Sequence, residues 1–550
     1  MKKTNSNITL SNNIPIDINQ TQKSLEISSS LTSNLNYLKG TYKSLISSDI
    51  NIKEFEIPIK NTSVSAALFF IDGITNQTHI NDFILKPLLL KNSIQMNTHE
   101  KNNNSSNENK DINKRKNLSK DNITVIVKKF DLEDFIFKKL IPEANIKKEN
   151  KFDEIIKYIN LGFTALFINN ISIAFLIETK STNQRSISPP LTEPIIKGAH
   201  QSFIENIRTN TALLRKIINN ENFIIENITV GNITKTDVSI CYMSNITNNN
   251  LISEVKNRLN NLNIDYLLFP NNLENLIIDN PASIFPETSS TERPDKAALN
   301  ILNGKIVLLI NGVPYGIIIP TLFTDYLSAA EDNNLNYFAS NFLKLIRIFS
   351  LFFALYLPGI YIAVTSFHQE LIPTDLLFAI ISARKSIPFP VIFEILIMEF
   401  SFELLGEASV RVSSSFSTTV GIIGALILGD AAVSANIVSP ILIIIVAFTG
   451  ISSFAIPDYS FKYSIRILRF GFILLGYFAG FLGIALGSFI LISYLGSLSS
   501  FGIPYIFPKT NNSSLFYNPI WKENFRKNFL NTKKPNLEKN TSMNWRQNNG

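Results

Sequence analysis

Phe342-Leu-Lys-Leu-Ile-Arg-Ile-Phe-Ser-Leu-Phe-Phe-Ala-Leu-Tyr-Leu-Pro-Gly-Ile-Tyr-Ile-Ala-Val364 is the stretch on which the reading of this chain turns. It supplies the roughly 20 mostly apolar residues that a membrane helix needs. Its only charges, Lys344 and Arg347, sit near its start, and Pro358-Gly359 marks a kink. Before Tyr337 the sequence is rich in Asn, Lys, Ile and Glu, whereas from Phe338 to Phe501 charge nearly disappears and Leu, Ile, Phe, Ala and Gly dominate. The chain-wide 45% hydrophobic and 17% charged residues therefore average two different regions.

Outward from that helix, the following loop, residues 366–375, has no Lys or Arg and is expected to face away from the cytoplasm. Residues 371–382 make a marginal return to Arg384-Lys385. Pro388, Phe389 and Pro390 form a rigid corner, because two prolines fix φ and deny helix continuation. Residues 391–408 are helical by composition. Residues 420–428 and 437–456 read as a helix pair separated by Gly429 to Asn436, and residues 465–498 as one tilted helix or a tight pair. A basic loop around Lys462, Arg466 and Arg469 and the basic tail belong on the cytoplasmic side, giving an even number of membrane segments, four or six. Gly476/Gly480 and Gly483/Gly487 have the spacing that lets helices approach closely, in packing within the chain or at a subunit interface.

The preceding region predicts an α/β or α+β cytoplasmic part in two subdomains. Residues 1–30 read as a disordered lead-in, 31–90 as the first part of a soluble subdomain and 91–121 as a low-complexity insertion too polar to offset its ordering entropy. Residues 122–337 read as the second subdomain, 338–503 as the helical transmembrane domain and 504–550 as a basic cytoplasmic tail. A strand over 66–71 ends in Asp72-Gly73 and leads to a helix through Lys86. Residues 163–168 and 173–177 form a hairpin about Asn169-Asn170. An amphipathic helix covers 199–219, strands follow near 223–230 and 238–243, then a helix near 253–262 and a strand over 306–310.

The formal charge of +7 is spread out, and no helix shows a basic face interleaved with aromatics, so nucleic acid is not an expected partner. Cys241 is the only cysteine, which excludes an intramolecular disulfide and a cysteine-based metal site. The first twenty residues have no apolar run behind Lys2-Lys3 and do not read as a secretory signal. Phosphate-loop, dinucleotide, zinc-protease and nucleophile-elbow patterns are missing, and the four histidines are isolated. The chain is not expected to be an enzyme or to carry a cofactor or metal.

The chemistry that is present lies in the hydrophobic block. Glu399, Glu403 and Glu407 recur every four residues on one helix face, with Glu394 about 140° away from Glu399. Such a stripe needs water, cations, protons or basic partners. It reads either as a cation-attracting vestibule or as an interfacial face paired with Arg384, Lys385 or Arg411. The next segment, Ser413 to Asn436, offers hydroxyls, small residues and one acid. Ser417, Thr418, Gly421, Gly424, Ala425, Leu428 and Asp430 are its pore-lining candidates; the alternative is that the small residues only pack helices and Asp430 lies in an exposed turn.

These segments resemble the A subunit of the GerA-type spore germination receptors. The resemblance runs from about Ala66 to Ile503. It is carried by residues 203–215 including Arg208 and Asn210, Glu292-Arg293-Pro294-Asp295, Asn311-Gly-Val-Pro314, Pro320-Thr-Leu-Phe323, Phe367-His368-Gln369-Glu370-Leu-Ile-Pro373, Ile387-Pro-Phe-Pro390, residues 399–408 and Ser452-Ser-Phe-Ala-Ile-Pro457. This chain departs from the family pattern at Gly198-Ala-His200, at Asn170 and in the Asn-rich insertion. The resemblance implies a subunit of a nutrient receptor in the inner spore membrane, working with a transporter-like B subunit and a lipoprotein C subunit. It also implies a homo-oligomeric ring around an ion-conducting path. The rival expectation is a non-conducting scaffold that couples a sensor to an effector.

Overall fold

The computed structural model describes residues 25–59, 62–89, 133, 141–143, 145–181, 189–190, 192–411 and 429–506. The expected low-complexity insertion and all but the first three residues of the expected tail lie outside the described residues, as do the first 24 residues of the lead-in. Contacts divide the chain into two units, one of residues 1–45 and 49–182, the other of residues 46–48 and 183–550.

The first unit is built on an antiparallel sheet in the order β1 (Ile50–Ile59), β2 (Thr62–Ile71), β4 (Phe163–Ile168), β5 (Ala174–Glu178), β3 (Ile146–Glu149). Helices α1 (Leu31–Thr41) and α3 (Phe152–Asn160) cover one face, where the Tyr42 ring packs tilted on Phe69 at 5.2 Å and its hydroxyl donates to Asn160 Oδ1 at 3.0 Å. A helical segment over residues 77–89, here α2, covers the other, burying Ile84 and Leu88 against Leu68, Leu166 and Phe175. Coverage on both faces explains why the run Phe-Thr-Ala-Leu-Phe-Ile168 has no polar alternation. Asn170 takes a left-handed φ of 65°, the conformation for which glycine is the easier residue, so the departure at this position carries some backbone strain. The lead-in ends earlier than expected. Ile27 is buried, and its amide donates to Asn150 O at 2.8 Å.

The second unit repeats the plan, with sheet order β6 (Phe223–Val230), β7 (Thr236–Met243), β9 (Ile306–Ile310), β10 (Gly316–Ile319), β8 (Ser289–Thr291), again antiparallel throughout. Helices α4 (Ile207–Ile217) and α7 (Pro294–Leu302) pack Leu214 and Ala298 against Cys241, Val307 and Leu309. On the opposite face α5 (Asn249–Asn260) and α6 (Pro270–Ile277) pack Val255 and Leu273 against Ile240 and Leu308. The two antiparallel sheets make both regions α+β.

Helix α4 starts at Ile207, not at 199, because Asn206 caps it by accepting from the amides of Arg208 and Thr209. Fully buried Asn210 then holds the preceding turn: its carboxamide accepts from Ile204 N at 2.8 Å and donates to Ile204 O at 2.6 Å. Asn210→Ala would leave that backbone pair unsatisfied. A loss of about 1–3 kcal/mol is expected in denaturant unfolding of the full chain, and Asn210→Asp, which sets a buried carboxylate oxygen against the Ile204 carbonyl, should lose at least as much.

Five helices follow in the same unit: α8 (Tyr337–Phe367), α9 (Thr374–Arg384), α10 (Val391–Arg411), α11 (Pro440–Phe454) and α12 (Tyr459–Ser497). Among the described residues α8 and α12 are long and apolar enough to cross a membrane, and α11 is a shorter apolar helix. Of the two readings for the last segment, the structure has the pair. At Gly480 the backbone takes φ 57°, ψ −139° and the helix folds back on itself. A Cβ on Gly487 would lie 2.5 Å from Leu475 Cδ1 and 3.1 Å from Phe472, residues about 18 Å or more away along a straight helix. Helix α9 also differs from expectation. It does not return toward the second sheet, since its last residue, Arg384, reaches Glu394 at the start of α10 (Nε to Oε1, 3.3 Å). Residues 429–434, read as a separator, are helical, and residues 412–428 lie outside the described residues.

Candidate functional site

The first arm of α12 runs alongside α8 in the same direction, joined by a glycine seam. Cβ atoms added to Gly476 and Gly359 would meet Gly359 O at 2.5 Å and Phe472 O at 2.7 Å, so the two backbones touch. Tyr356 packs on Phe472 at 4.7 Å. Gly480 sits against Phe367 and His368, at the far end of α8, and the His368 ring packs on Phe481 at 4.9 Å. The glycine spacing thus serves packing within the chain.

A charged seam runs along the other side of α12. Helix α10 lies antiparallel to it, and Glu399 pairs with Arg469 while Glu403 Oε2 pairs with Arg466 at 2.7 Å. Glu407 pairs with Arg411 at 2.6 Å within α10. Glu399 and Arg469 are 0% and 3% exposed, so this is a buried pair, whereas Glu407 and Arg411 are open to the surface. Glu399 and Glu403 thus turn to α12, while Glu407 is satisfied within α10. Of the three expected partners, Arg411 serves Glu407, Arg384 serves Glu394, and Lys385 makes no ion pair among the described residues. Arg466 and Arg469, expected in a basic loop, are inside a helix and neutralise the acids. Glu394, fully buried, also accepts from Ser439 N at 3.1 Å, and Ser439 caps α11, so one carboxylate ties α9, α10 and α11 together.

Both ends of the α12 hairpin are fastened to the second sheet's loops. At its start, Asp458 caps the helix and accepts from Ser289 Oγ at 3.2 Å, and Ser464 Oγ donates to Ile284 O at 2.5 Å. At its end, Ser500 Oγ donates to Glu287 O at 2.7 Å and Tyr505 OH to Pro286 O at 2.9 Å. Tyr326 stacks on Phe461 at 5.1 Å with 12° between rings, and Arg347 near the start of α8 binds Asp332 at 2.6 Å. Burial pushes the Asp458 carboxyl above its ordinary range, against the opposing pull of the Phe461 amide, and raises the Tyr326 and Tyr505 hydroxyls well above theirs. Periodicity gave no sign of this junction, whose residues come from four separated stretches.

The remaining sequence candidates are dispersed. Arg293 is fully buried and bound to Asp295 at 2.6 Å and to Ala199 O at 3.0 Å, a structural role at the start of α7. Arg208 is exposed. Gln369 donates to Thr365 O at 2.9 Å, and Glu370 is exposed. Pro388, Phe389 and Pro390 form an exposed corner, with Pro390 O accepting from Phe393 N to start α10. Asp430 is exposed on the stretch 429–434, next to Gly429, which faces Ile443 of α11. Ser417, Thr418, Gly421, Gly424, Ala425 and Leu428 lie outside the described residues.

Sheet-bearing regions followed by a helical region with two helices able to cross a membrane define the class. Residues 36–529 match the family described as Bacillus/Clostridium GerA spore germination protein, and the chain belongs to that family. Spore germination protein KA of Bacillus subtilis (strain 168) is 34% identical over 506 residues, covering 91% of this chain and 86% of its own length. Spore germination protein GerLA of Bacillus cereus is 35% identical over 387 residues, covering 70% and 78%. The N-terminal domain of the A subunit of the Bacillus megaterium spore germinant receptor GerK3, a crystal structure, is 27% identical and covers 55% of this chain and 99% of its own, with a TM-score of 0.38.

Proposed function

We propose that the chain is the A subunit of a spore germinant receptor. In this reading it assembles with copies of itself into a nutrient-gated cation channel in the inner spore membrane, alongside a transporter-like B subunit and a lipoprotein C subunit. The sheet-bearing units and the tail face the cytoplasm. The observation that carries the channel reading is Asp430, an exposed carboxylate whose neighbour Gly429 lies against the apolar helix α11. If the membrane reaches that stretch, a carboxylate facing lipid there is costly and calls for a water-filled path or a neighbouring subunit. Ser417, Thr418, Gly421, Gly424, Ala425 and Leu428 complete the proposed lining.

The paired stripe Glu399, Glu403, Glu407 supports the rival reading, a non-conducting scaffold, because it has no charge left over for attracting cations. The test is cation release from liposomes holding the purified receptor, with Asp430→Asn as the variant. Release on nutrient addition that falls several-fold in Asp430→Asn, with cysteines along 420–433 reacting with aqueous reagents, is the expected result. Vesicles that stay sealed under every nutrient condition would establish the scaffold instead.

A further inference from the structure

Helix α9 has eleven residues, about 16 Å of helix, and is too short to cross a membrane. Between it and the end of α8 opens a cleft of about 320 Å³, lined by Thr365, Gln369, Leu377, Ile381, Arg384 and Lys385 among others. The cleft is two-sided in its chemistry. Leu377 and Ile381 give it an apolar wall, while Arg384 and Lys385 place two cations at one end. Arg384 is held by its Nε–H bond to Glu394, and Lys385 is exposed and makes no ion pair among the described residues. On the outside of α9, Leu376 and Phe378 are 49% and 68% exposed.

We propose that this cleft binds an anionic phospholipid, its phosphate held by Arg384 and Lys385 and the first part of an acyl chain lying along Leu377 and Ile381. A free phosphate would use the cations but leave the apolar wall bare. Arginine and lysine cations bind phosphate oxygens by charge-assisted hydrogen bonds on either face of a bilayer. The site rests on the membrane reading above and lies at the end of α8 remote from the second sheet, where the sequence alone placed no binding chemistry.

The full chain, extracted in detergent and returned to nanodiscs of equal parts phosphatidylglycerol and phosphatidylcholine, tests the site through the lipid retained after purification. Retention should favour phosphatidylglycerol, and Lys385→Gln, which leaves the Arg384–Glu394 pair intact, should lower that preference about fivefold. Equal retention of the two lipids, or a preference unchanged in Lys385→Gln, overturns the proposal. So does loss of the preference in millimolar inorganic phosphate, which would make this a simple anion site. Recovery of the chain in the soluble fraction before extraction would overturn the membrane reading itself; a chain that stays in the membrane but shows no lipid preference overturns only this site.

Discussion

Arg469→Met is expected to destabilise the helical region by about 3–5 kcal/mol, because it leaves the Glu399 carboxylate buried without its counter-charge. Glu399 is 0% exposed and its Oε1 already has no hydrogen-bond partner, so water cannot substitute for the guanidinium without opening the seam between α10 and α12. Glu399→Met alone strands Arg469 in the same way. The double variant, with two methionines facing each other, should recover most of the loss, since replacing both partners of a buried pair is often near neutral. Thermal unfolding of the detergent-solubilised chain, run as a double-mutant cycle, measures this. Equal losses in the single and double variants would mean that the pair contributes packing and not charge.

Gly476→Leu carries the second large effect. Its Cβ would lie 2.5 Å from Gly359 O, and backbone cannot yield as a flexible side chain can, so α8 and the first arm of α12 must separate. Overpacking of this kind costs typically 1–3 kcal/mol and more where nothing gives; here a loss of about 3 kcal/mol or failure to accumulate in the membrane is expected. Gly471→Ala on the same helix meets nothing within 4 Å and serves as the control. It should be neutral or slightly stabilising, by up to about 1 kcal/mol. If both glycines tolerate substitution alike, the seam is not a close backbone contact.

Much of the architecture was legible because it rests on local pattern. The strands over 163–168, 223–230 and 306–310 follow from apolar runs between turn residues, and α8 from its length and composition. Glu407–Arg411 was readable too, since an acid and a base four residues apart on a helix meet by geometry. Glu399–Arg469 was not, because its partners are seventy positions apart in sequence and meet only once α10 and α12 pack. The fold-back of α12 was visible as one of two options. Gly476, Gly480, Gly483 and Gly487 look alike in sequence, and only contact with Phe367 and His368 singles out Gly480 as the turn. Strand β1 escaped notice because its run Lys53-Glu54-Phe55-Glu56 is an edge strand with charge on it, as exposed edges tend to have. The short strands β8 and β10 owe their place to pairing with β9 and each other, which composition does not report.

The hairpin of α12 has a mechanical consequence. Its two feet, at Asp458–Ser464 and Ser500–Tyr505, stand on the same short stretch, residues 284–289, leading into β8. A strut with one foot could piston through the bilayer when its base is pushed. A bracket with two feet on one plate resists that sliding, and the glycine seam clamps its first arm to α8 along its length. Any displacement of the plate is then delivered as a tilt of the bracket, whose largest excursion falls at the bend of Gly480, beside His368.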